Sequence, residues 1–228
     1  MSSWKILCDF DGTIVPDDVT DYLLETFAAP SWRDLERQWE RGAIGAQDCM
    51  RGQVALLDAA PAVLDKAVAK MTADPGFRGF VETAAEFGLE LTIVSDGLDR
   101  VIKDVLRREK LLGIEIKSSR FEYVGDRKWR LDFPHAAPGC RSSACTCKCE
   151  VARRDARRTL LVGDGRSDFC IADTADFVFA KHKLLAYCRD RDIAHAAFKD
   201  FTDAQRLLRR FVASAIAPSL GSESVIHG

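Results

Sequence analysis

The sequence lacks a long apolar run and an excess of charge of either sign. No apolar stretch approaches the roughly 20 residues that a membrane-spanning helix needs. Polar and acidic residues follow Leu7 almost at once, which argues against a signal peptide. The formal net charge of −2 implies no basic surface for nucleic acid. We therefore expect a cytoplasmic protein that binds neither membranes nor nucleic acid and keeps its eight cysteines reduced.

Internal repeats are also absent, and strands and helices alternate along most of the 228 residues. Apolar strands are predicted at Ile6–Cys8, Leu89–Val94, Ile114–Ile116, Thr159–Val162 and Phe177–Phe179, with a β-hairpin formed by Phe121–Val124 and Lys128–Leu131. Four helices are predicted between the first strand and a turn at Asp74-Pro75-Gly76, and a fifth, around Phe80–Phe87, precedes the second strand. The pattern indicates an α/β protein with a Rossmann-like parallel sheet in residues 1–15 and 75–228 and a small helical cap in residues 16–74. An insertion there would overhang the carboxyl ends of the strands and act as a lid.

The segment DFDGT, residues 9–13, directly follows the first predicted strand. Functional groups of open α/β sheets lie at the carboxyl ends of strands. Asp9 and Asp11, two residues apart, would point to the same side there. One carboxylate can attack a substrate while the other transfers a proton, and both can help to hold a hard cation. The alternative is an acidic strand-to-turn junction without catalytic function.

Two further apolar strands end in small polar residues, in the segments SDG at residues 95–97 and GDGRSD at residues 163–168. Each segment alone is consistent with ordinary turn chemistry, but strand ends in one sheet bring their side chains together. Asp9 and Asp164 would then form an oxygen site suited to Mg²⁺, with Asp168 as a supporting carboxylate behind it. Ser95 can hydrogen-bond a phosphate oxygen, and Lys148 can supply positive charge for phosphoryl transfer.

Four of the eight cysteines lie within ten residues of one another, at Cys140, Cys145, Cys147 and Cys149. Four thiolates suit a tetrahedral structural zinc ion. Zinc sites usually draw C-x2-C pairs from two separate segments, and this spacing differs. Thiols in a mobile loop and a local disulfide are the alternatives to zinc.

These motifs, in this order, resemble the haloacid dehalogenase (HAD) phosphatases, and the resemblance extends over nearly the whole chain. It implies that Asp9 is the nucleophile that takes up the phosphoryl group. It implies that Asp11 protonates the leaving alcohol and then activates water. Mg²⁺ would be bound by Asp9, the main-chain carbonyl of Asp11, and Asp164, while Ser95 and Lys148 would complete the catalytic residues. A small phosphorylated metabolite is the implied substrate.

Within this superfamily the chain is similar to the phosphoserine phosphatase-like branch, where the cap also follows the first motif. Resemblance to that branch implies that Asp18 contacts a substrate amine and that Asp96 and Gly97 help to bind substrate. At the cap positions that hold an aromatic residue and an arginine in phosphoserine phosphatases, this chain has Ala46 and Gln53. Arg51 is the preferred alternative for a substrate contact from the cap.

A closer resemblance is to the MtnX-like phosphatases, named for an enzyme of methionine salvage. The segments that carry it are GAIGAQDCMRGQVALL, TIVSDGLD, the cysteine segment with CKC, and GDGRSDFCIADTADFVFAK. The motif GDGRSDFC is also similar to that of phosphocholine and phosphoethanolamine phosphatases. The resemblance implies the reaction more firmly than the substrate. A phosphotransferase and a non-catalytic phosphometabolite-binding protein are the remaining alternatives.

Overall fold

The structure, a computed structural model, describes residues 3–216. Its centre is a sheet formed by seven strands, β1 (Trp4–Cys8), β2 (Glu90–Leu98), β3 (Glu115–Gly125), β4 (Lys128–Asp132), β5 (Arg158–Gly163), β6 (Phe177–Ala180) and β7 (His195–Ala197). The strand order across the sheet is β4-β3-β2-β1-β5-β6-β7, and only the pairing of β4 with β3 is antiparallel. This arrangement confirms the predicted α/β class with a parallel, Rossmann-like sheet.

The helices follow the predicted alternation. Five of them lie between β1 and β2, and the first four form the insertion, namely α1 (Val19–Phe27), α2 (Trp32–Glu40), α3 (Ala46–Ala55) and α4 (Pro61–Val68). The others are α5 (Phe77–Glu86), α6 (Asp99–Arg108), α7 (Lys148–Arg153), α8 (Phe169–Ala172), α9 (His182–Asp190) and α10 (Phe201–Phe211), with a 3-10 turn at Arg166–Asp168 and a π-helical turn at Val212–Ile216. Within residues 3–216, no helix is both long enough and apolar enough to cross a membrane.

Strand β1 lies in the middle of the sheet, and all five of its residues are buried. Four of them are apolar, and the fifth, Lys5, forms an ion pair with Asp155. The strand pairs in parallel with β2 on one side and with β5 on the other. The segment that follows β1 therefore emerges between the ends of its two neighbours, and the segments that follow all three strands meet at one edge of the sheet.

The inserted helices share a hydrophobic core with the sheet. Leu23 of α1 and Leu64 of α4 belong to the same buried cluster as Ile6 of β1. The hairpin of β3 and β4 also supports the insertion, because the indole Nε1 of Trp129 donates a hydrogen bond to the carbonyl oxygen of Ala59 at 2.9 Å. The division into a cap at residues 16–74 and a core at residues 1–15 and 75–228 stays a prediction.

Three strands differ from the sequence-based prediction, and one of them, β7, is not predicted at all. Strand β2 does not end at Val94 but continues to Leu98, with a break in its register against β3 between these two residues. Strand β3 is one strand of 11 residues where a short strand and a separate hairpin arm are predicted. Its middle carries Ser118 and Ser119, which are polar yet buried, so the apolar pattern is interrupted although the strand is not.

Candidate active site

A cavity of about 660 Å³ lies at the carboxyl edge of the sheet, beneath the inserted helices. Its floor is formed by the segments that follow β1 and β5 and by the end of β2, and its opposite wall by residues of α1, α2 and α3. The predicted site residues that line it are Asp9, Asp11, Asp18, Ser95, Asp96, Gly97 and Asp164. The three sequence motifs therefore meet in one place.

Lys148 joins two of these motifs at the bottom of the cavity. Its buried ammonium group lies 2.9 Å from Asp9 Oδ1 and 2.6 Å from Asp168 Oδ1. Burial alone lowers the pKa of Lys148, but the charges of Asp168 and Asp9 outweigh this effect and raise the pKa above its ordinary value. Lys148 is therefore a fixed positive charge beside the Asp9 carboxylate.

Asp168 holds this arrangement in place. Its Oδ1 accepts the bond from Lys148, and its Oδ2 accepts hydrogen bonds from the backbone N–H groups of Asp164 at 3.2 Å and Gly165 at 3.3 Å. Asp168 is fully buried, so a carboxylate with fewer partners would be costly here. The residue thus connects the Lys148 ammonium to the loop that carries Asp164.

Asp9 and Asp11 have different surroundings. Burial and the charge of Asp168 raise the pKa of Asp9, and the neighbouring Lys148 opposes that rise. Burial, followed by the charge of Asp18, raises the pKa of Asp11 to about 8. A raised pKa of this kind suits a carboxyl group that gives up and takes back a proton.

The carboxyl group of Asp11 is held in place from both sides. Its Oδ1 accepts a hydrogen bond from the backbone N–H of Val19, the first residue of α1, at 3.0 Å. Its Oδ2 lies 3.5 Å from Ser95 Oγ, which itself accepts a hydrogen bond from the Gly97 N–H at 2.9 Å. A contact from the inserted helices and a contact from β2 therefore set the position of this side chain.

Asp9, Asp164 and Asp168 form a carboxylate group that could hold a cation. Each offers a carboxylate oxygen within 4.8 Å of the others, and no second group of this kind occurs among residues 3–216. Hard oxygen donors of this kind suit Mg²⁺. Because Asp9 and Asp164 line the cavity and the fully buried Asp168 does not, Asp9 and Asp164 are the carboxylates best placed for direct contact with an ion.

The wall contributed by the inserted helices is acidic. Asp18, Asp21, Glu36 and Glu40 all line the cavity. None of these four carboxylates has a Lys, Arg or His partner within 4.0 Å among the residues that the structure describes. Burial, followed by the charges of Asp18 and Glu36, raises the pKa of Asp21 to about 6. The half-buried ring of Trp39 lies among these carboxylates.

Arg51 is not among the residues that line the cavity. It is exposed, its guanidinium group pairs with Asp48 at 3.1 Å, and it lies over the ring of Phe133 at 4.9 Å. Since Arg51 follows Met50 on α3 by one residue, a rotation of about 100° per residue carries its side chain away from the cavity that Met50 lines. The structure therefore does not bring Arg51 together with the other predicted substrate-binding residues.

The zinc hypothesis for Cys140, Cys145, Cys147 and Cys149 is not supported. The one group able to hold a metal ion among residues 3–216 is the carboxylate group described above. All eight cysteines are free thiols. Cys145 is buried, with its Sγ 3.3 Å from the sulfur of Met50. Its neighbour Ala144 lines the cavity and accepts a hydrogen bond from Gln47 Nε2 of α3 at 3.1 Å, so this segment bridges the sheet and the inserted helices.

Several residues at the site are not found by motif analysis. Thr13 Oγ1 donates a hydrogen bond to Asp164 Oδ1 at 2.9 Å, and His182 lies on the other side of the same carboxylate. Glu36, Trp39 and Glu40 are spaced three and four residues apart on α2, which places them on one helix face. That spacing is visible in the sequence, but nothing in it shows that this face meets the catalytic cavity.

The haloacid dehalogenase-like hydrolase family model matches residues 6–173 of the chain. The 2-hydroxy-3-keto-5-methylthiopentenyl-1-phosphate phosphatase of Geobacillus kaustophilus (strain HTA426) is 31% identical over 212 residues, which cover 90% of this chain and 95% of the relative. The enzyme of the same name from Geobacillus thermodenitrificans (strain NG80-2) is 30% identical over 211 residues, again 90% of this chain and 95% of the relative.

Solved structures show the same fold. A phosphoserine phosphatase structure that carries a phospho-aspartyl intermediate analogue has a TM-score of 0.63 at 21% identity, with 90% of this chain and 97% of that chain covered. The match to the family model spans the three motifs whose side chains line the cavity, and the curated relatives carry the name of phosphatases. The chain therefore belongs to the haloacid dehalogenase-like hydrolase family and is a phosphatase of that family.

Proposed function

We propose that the protein is a Mg²⁺-dependent phosphomonoesterase that acts on a small phosphate ester through an aspartyl-phosphate intermediate. The observation that carries the proposal is the pair of carboxyl groups in one cavity, of which Asp9 lies beside the Lys148 ammonium group at 2.9 Å, whereas Asp11 has no Lys, Arg or His partner within 4.0 Å among residues 3–216. A carboxylate beside a buried cation is suited to act as nucleophile, and a carboxyl group without one is suited to act as acid.

In the first step, an oxygen of the Asp9 carboxylate attacks the phosphorus atom and the bond to the ester oxygen breaks. Asp11 gives its proton to the departing ester oxygen, so the alcohol leaves neutral. In the second step, Asp11, now ionised, takes a proton from a water molecule that attacks the phosphorus. Inorganic phosphate leaves, and the carboxylate of Asp9 and the proton on Asp11 are restored.

The remaining residues stabilise the charge of the phosphoryl group. Lys148 supplies a positive charge, and Ser95 Oγ can donate a hydrogen bond to a phosphoryl oxygen. Asp9, Asp164 and the main-chain carbonyl of Asp11 would hold Mg²⁺, with Asp168 behind them. When bound, Mg²⁺ supplies further positive charge to the transferring group.

Replacement of Asp9 by Asn tests the mechanism. The variant keeps the shape of the side chain but removes the nucleophile, so we expect phosphate release from an aryl phosphate to fall by about 10³-fold or more. Asp190→Asn, an exposed position on α9, is the matched control and should behave as wild type. Full activity of Asp9→Asn would contradict the mechanism. Release of alcohol and free phosphate in equal amounts would indicate hydrolysis, whereas release of more alcohol than free phosphate would indicate transfer of the phosphoryl group to a second alcohol.

The names of the curated relatives favour 2-hydroxy-3-keto-5-methylthiopentenyl-1-phosphate as a substrate. The acidic wall favours a second candidate, a phosphate ester with a positively charged amine, such as phosphocholine or phosphoethanolamine. Unpaired carboxylates close to a phosphate-binding site repel an anionic ester, and a cation on the substrate offsets that repulsion. The ring of Trp39 lies 5.9 Å from the guanidinium carbon of Arg166, so it can face a cation, and a quaternary ammonium group would compete with Arg166 for it.

Glu36→Gln separates the two candidates, because it removes one charge of the wall and keeps the oxygen that accepts the bond from Gln53 Nε2 at 2.7 Å. For an amine-bearing ester we expect KM to rise by about 5-fold with kcat little changed, and for a phosphate ester without an amine we expect no such rise. Glu25→Gln is the matched control, since Glu25 is an exposed residue of α1 that pairs with Arg33 outside the cavity. An equal response of both ester classes would exclude the amine-bearing class.

A further inference from the structure

Six residues other than glycine have a positive φ angle within residues 3–216, and His182 is the one among them that lines the catalytic cavity. Its φ angle is +48°, in the left-handed region. That conformation is sterically unfavourable for a residue with a β-carbon. Backbone strain of this kind persists where the surrounding structure imposes it, and it is concentrated at functional sites.

The backbone of this turn does not require a histidine. The N–H of Lys181 donates to the carbonyl oxygen of Gly163 at 3.1 Å, and the N–H of Leu184 donates to that of Asp164 at 2.8 Å. These two bonds fix the turn into α9 on either side of residue 182, and glycine would adopt the same φ without strain. The His182 side chain is 64% exposed, so burial in the core does not explain it either.

The contact that the imidazole makes is with Asp164. His182 Nδ1 lies 3.5 Å from Asp164 Oδ2, while Asp164 Oδ1 accepts the hydrogen bond from Thr13 Oγ1. Thr13, which follows β1, thus hydrogen-bonds one oxygen of the carboxylate, and His182, the first residue of α9, contacts the other. Each carboxylate oxygen has a second lone pair, so both contacts leave Asp164 able to bind a cation.

We propose that His182 is a positioning residue that orients the Asp164 carboxylate for a divalent cation. The proposal rests on the Mg²⁺-dependent function proposed above. Groups that hydrogen-bond to metal ligands restrict the orientations of those ligands, and their loss typically weakens metal binding by about 10- to 100-fold. His182 would therefore be retained, despite its backbone conformation, for its contact with Asp164.

Two substitutions separate the side chain from the backbone. His182→Gly keeps the left-handed conformation and removes the imidazole. His182→Asn also tolerates that conformation and keeps a side-chain N–H donor. By calorimetric titration of the full chain with MgCl₂, we expect His182→Gly to bind Mg²⁺ about 10-fold more weakly than wild type. We expect the melting temperature of His182→Gly in EDTA to be equal to that of wild type or higher. We expect His182→Asn to bind Mg²⁺ with an affinity within about 3-fold of that of wild type.

Asp192→Gly is the matched control, because Asp192 has a φ angle of +52° in an exposed turn that does not line the cavity. It should leave Mg²⁺ binding unchanged. Binding by His182→Gly as tight as that of wild type overturns the role of His182 and leaves the proposed phosphatase mechanism intact. Failure of the wild-type protein to bind Mg²⁺ overturns both, whereas full activity of Asp9→Asn overturns the mechanism alone.

Discussion

At the scale of single residues, the two carboxyl groups of DFDGT differ because of what each one contacts. Burial raises the pKa of both groups, but Asp9 lies against the Lys148 ammonium group, whereas Asp11 lies near the negative charge of Asp18. The two side chains are two residues apart on the chain and of identical chemistry. The separate roles that we propose for them therefore rest on their positions relative to Lys148 and Asp18.

Gly97 leaves the space that the Asp11 carboxyl group occupies. A β-carbon built at residue 97 would lie 2.3 Å from Asp11 Oδ2, so Gly97→Ala must displace that side chain. We expect kcat to fall by about 100-fold or more for an alkyl phosphate, and by less for an aryl phosphate, whose leaving group needs less help from an acid.

Gly139→Ala provides the control for this substitution. Nothing lies within 4 Å of a β-carbon at residue 139, and its φ angle is not positive. We expect wild-type kcat for both esters. The explanation would be wrong if Gly97→Ala slowed alkyl and aryl esters by the same factor, since that result would point to general damage at the site.

At the scale of elements, β1 is held to the segment after α7 by a buried lysine. Lys5 is only 4% exposed, and its ammonium group contacts the carbonyl oxygen of Ala152 and, at 3.0 Å, Asp155 Oδ1. Hydrogen bonds from Arg157 and then from Lys5 hold the pKa of Asp155 well below its usual range. This ion pair connects the strand that precedes the nucleophile to the helix that begins with Lys148.

Asp155→Asn should lower the free energy of unfolding by about 1 kcal/mol at pH 7, a modest value because the Asp155 side chain is 38% exposed. A carboxylate with a depressed pKa in the folded state stabilises the protein above the pKa of the unfolded chain, about 3.9. The difference between variant and wild type should therefore be constant above about pH 5 and decrease below about pH 4. Urea unfolding of both proteins at several pH values measures this difference in the free energy of unfolding. A difference that grows in acid would contradict a stabilising role of the ionised Asp155.

Helices and strands whose apolar residues recur with a clear periodicity are predicted correctly from the sequence, and elements without such a periodicity are predicted poorly. The motifs at Asp9, Ser95 and Asp164 converge as expected, because each follows an apolar strand of one parallel sheet. Strand β3 is missed as a single strand because its buried serines interrupt the apolar pattern. The position of Arg51 depends on the rotation of α3 against the sheet, and a local pattern carries no information on that rotation.

At the scale of the whole molecule, the cavity concentrates negative charge that weakens the folded state in the absence of a cation. Asp9, Asp164 and Asp168 lie within 4.8 Å of one another, and Lys148 contacts only the first and the last of them. Repulsion among partly buried carboxylates opposes folding. Function and stability therefore make opposite demands on these residues.

Asp164→Asn should be at least as stable as wild type in EDTA, because it removes one of the repelling charges. MgCl₂ at about 100 times the dissociation constant should stabilise wild type by about 2.7 kcal/mol and the variant by much less. Thermal unfolding with and without MgCl₂ measures both effects. A variant that is stabilised by MgCl₂ as strongly as wild type would remove Asp164 from the set of ligands.

The position of β1 in the middle of the sheet has a consequence for synthesis on the ribosome. The strand that precedes Asp9 is synthesised before both of its neighbours in the sheet, β2, which begins at Glu90, and β5, which begins at Arg158. Lys148 and Asp164 emerge more than a hundred residues after Asp9. The proposed catalytic residues of a nascent chain are therefore not assembled until β5 has joined the sheet.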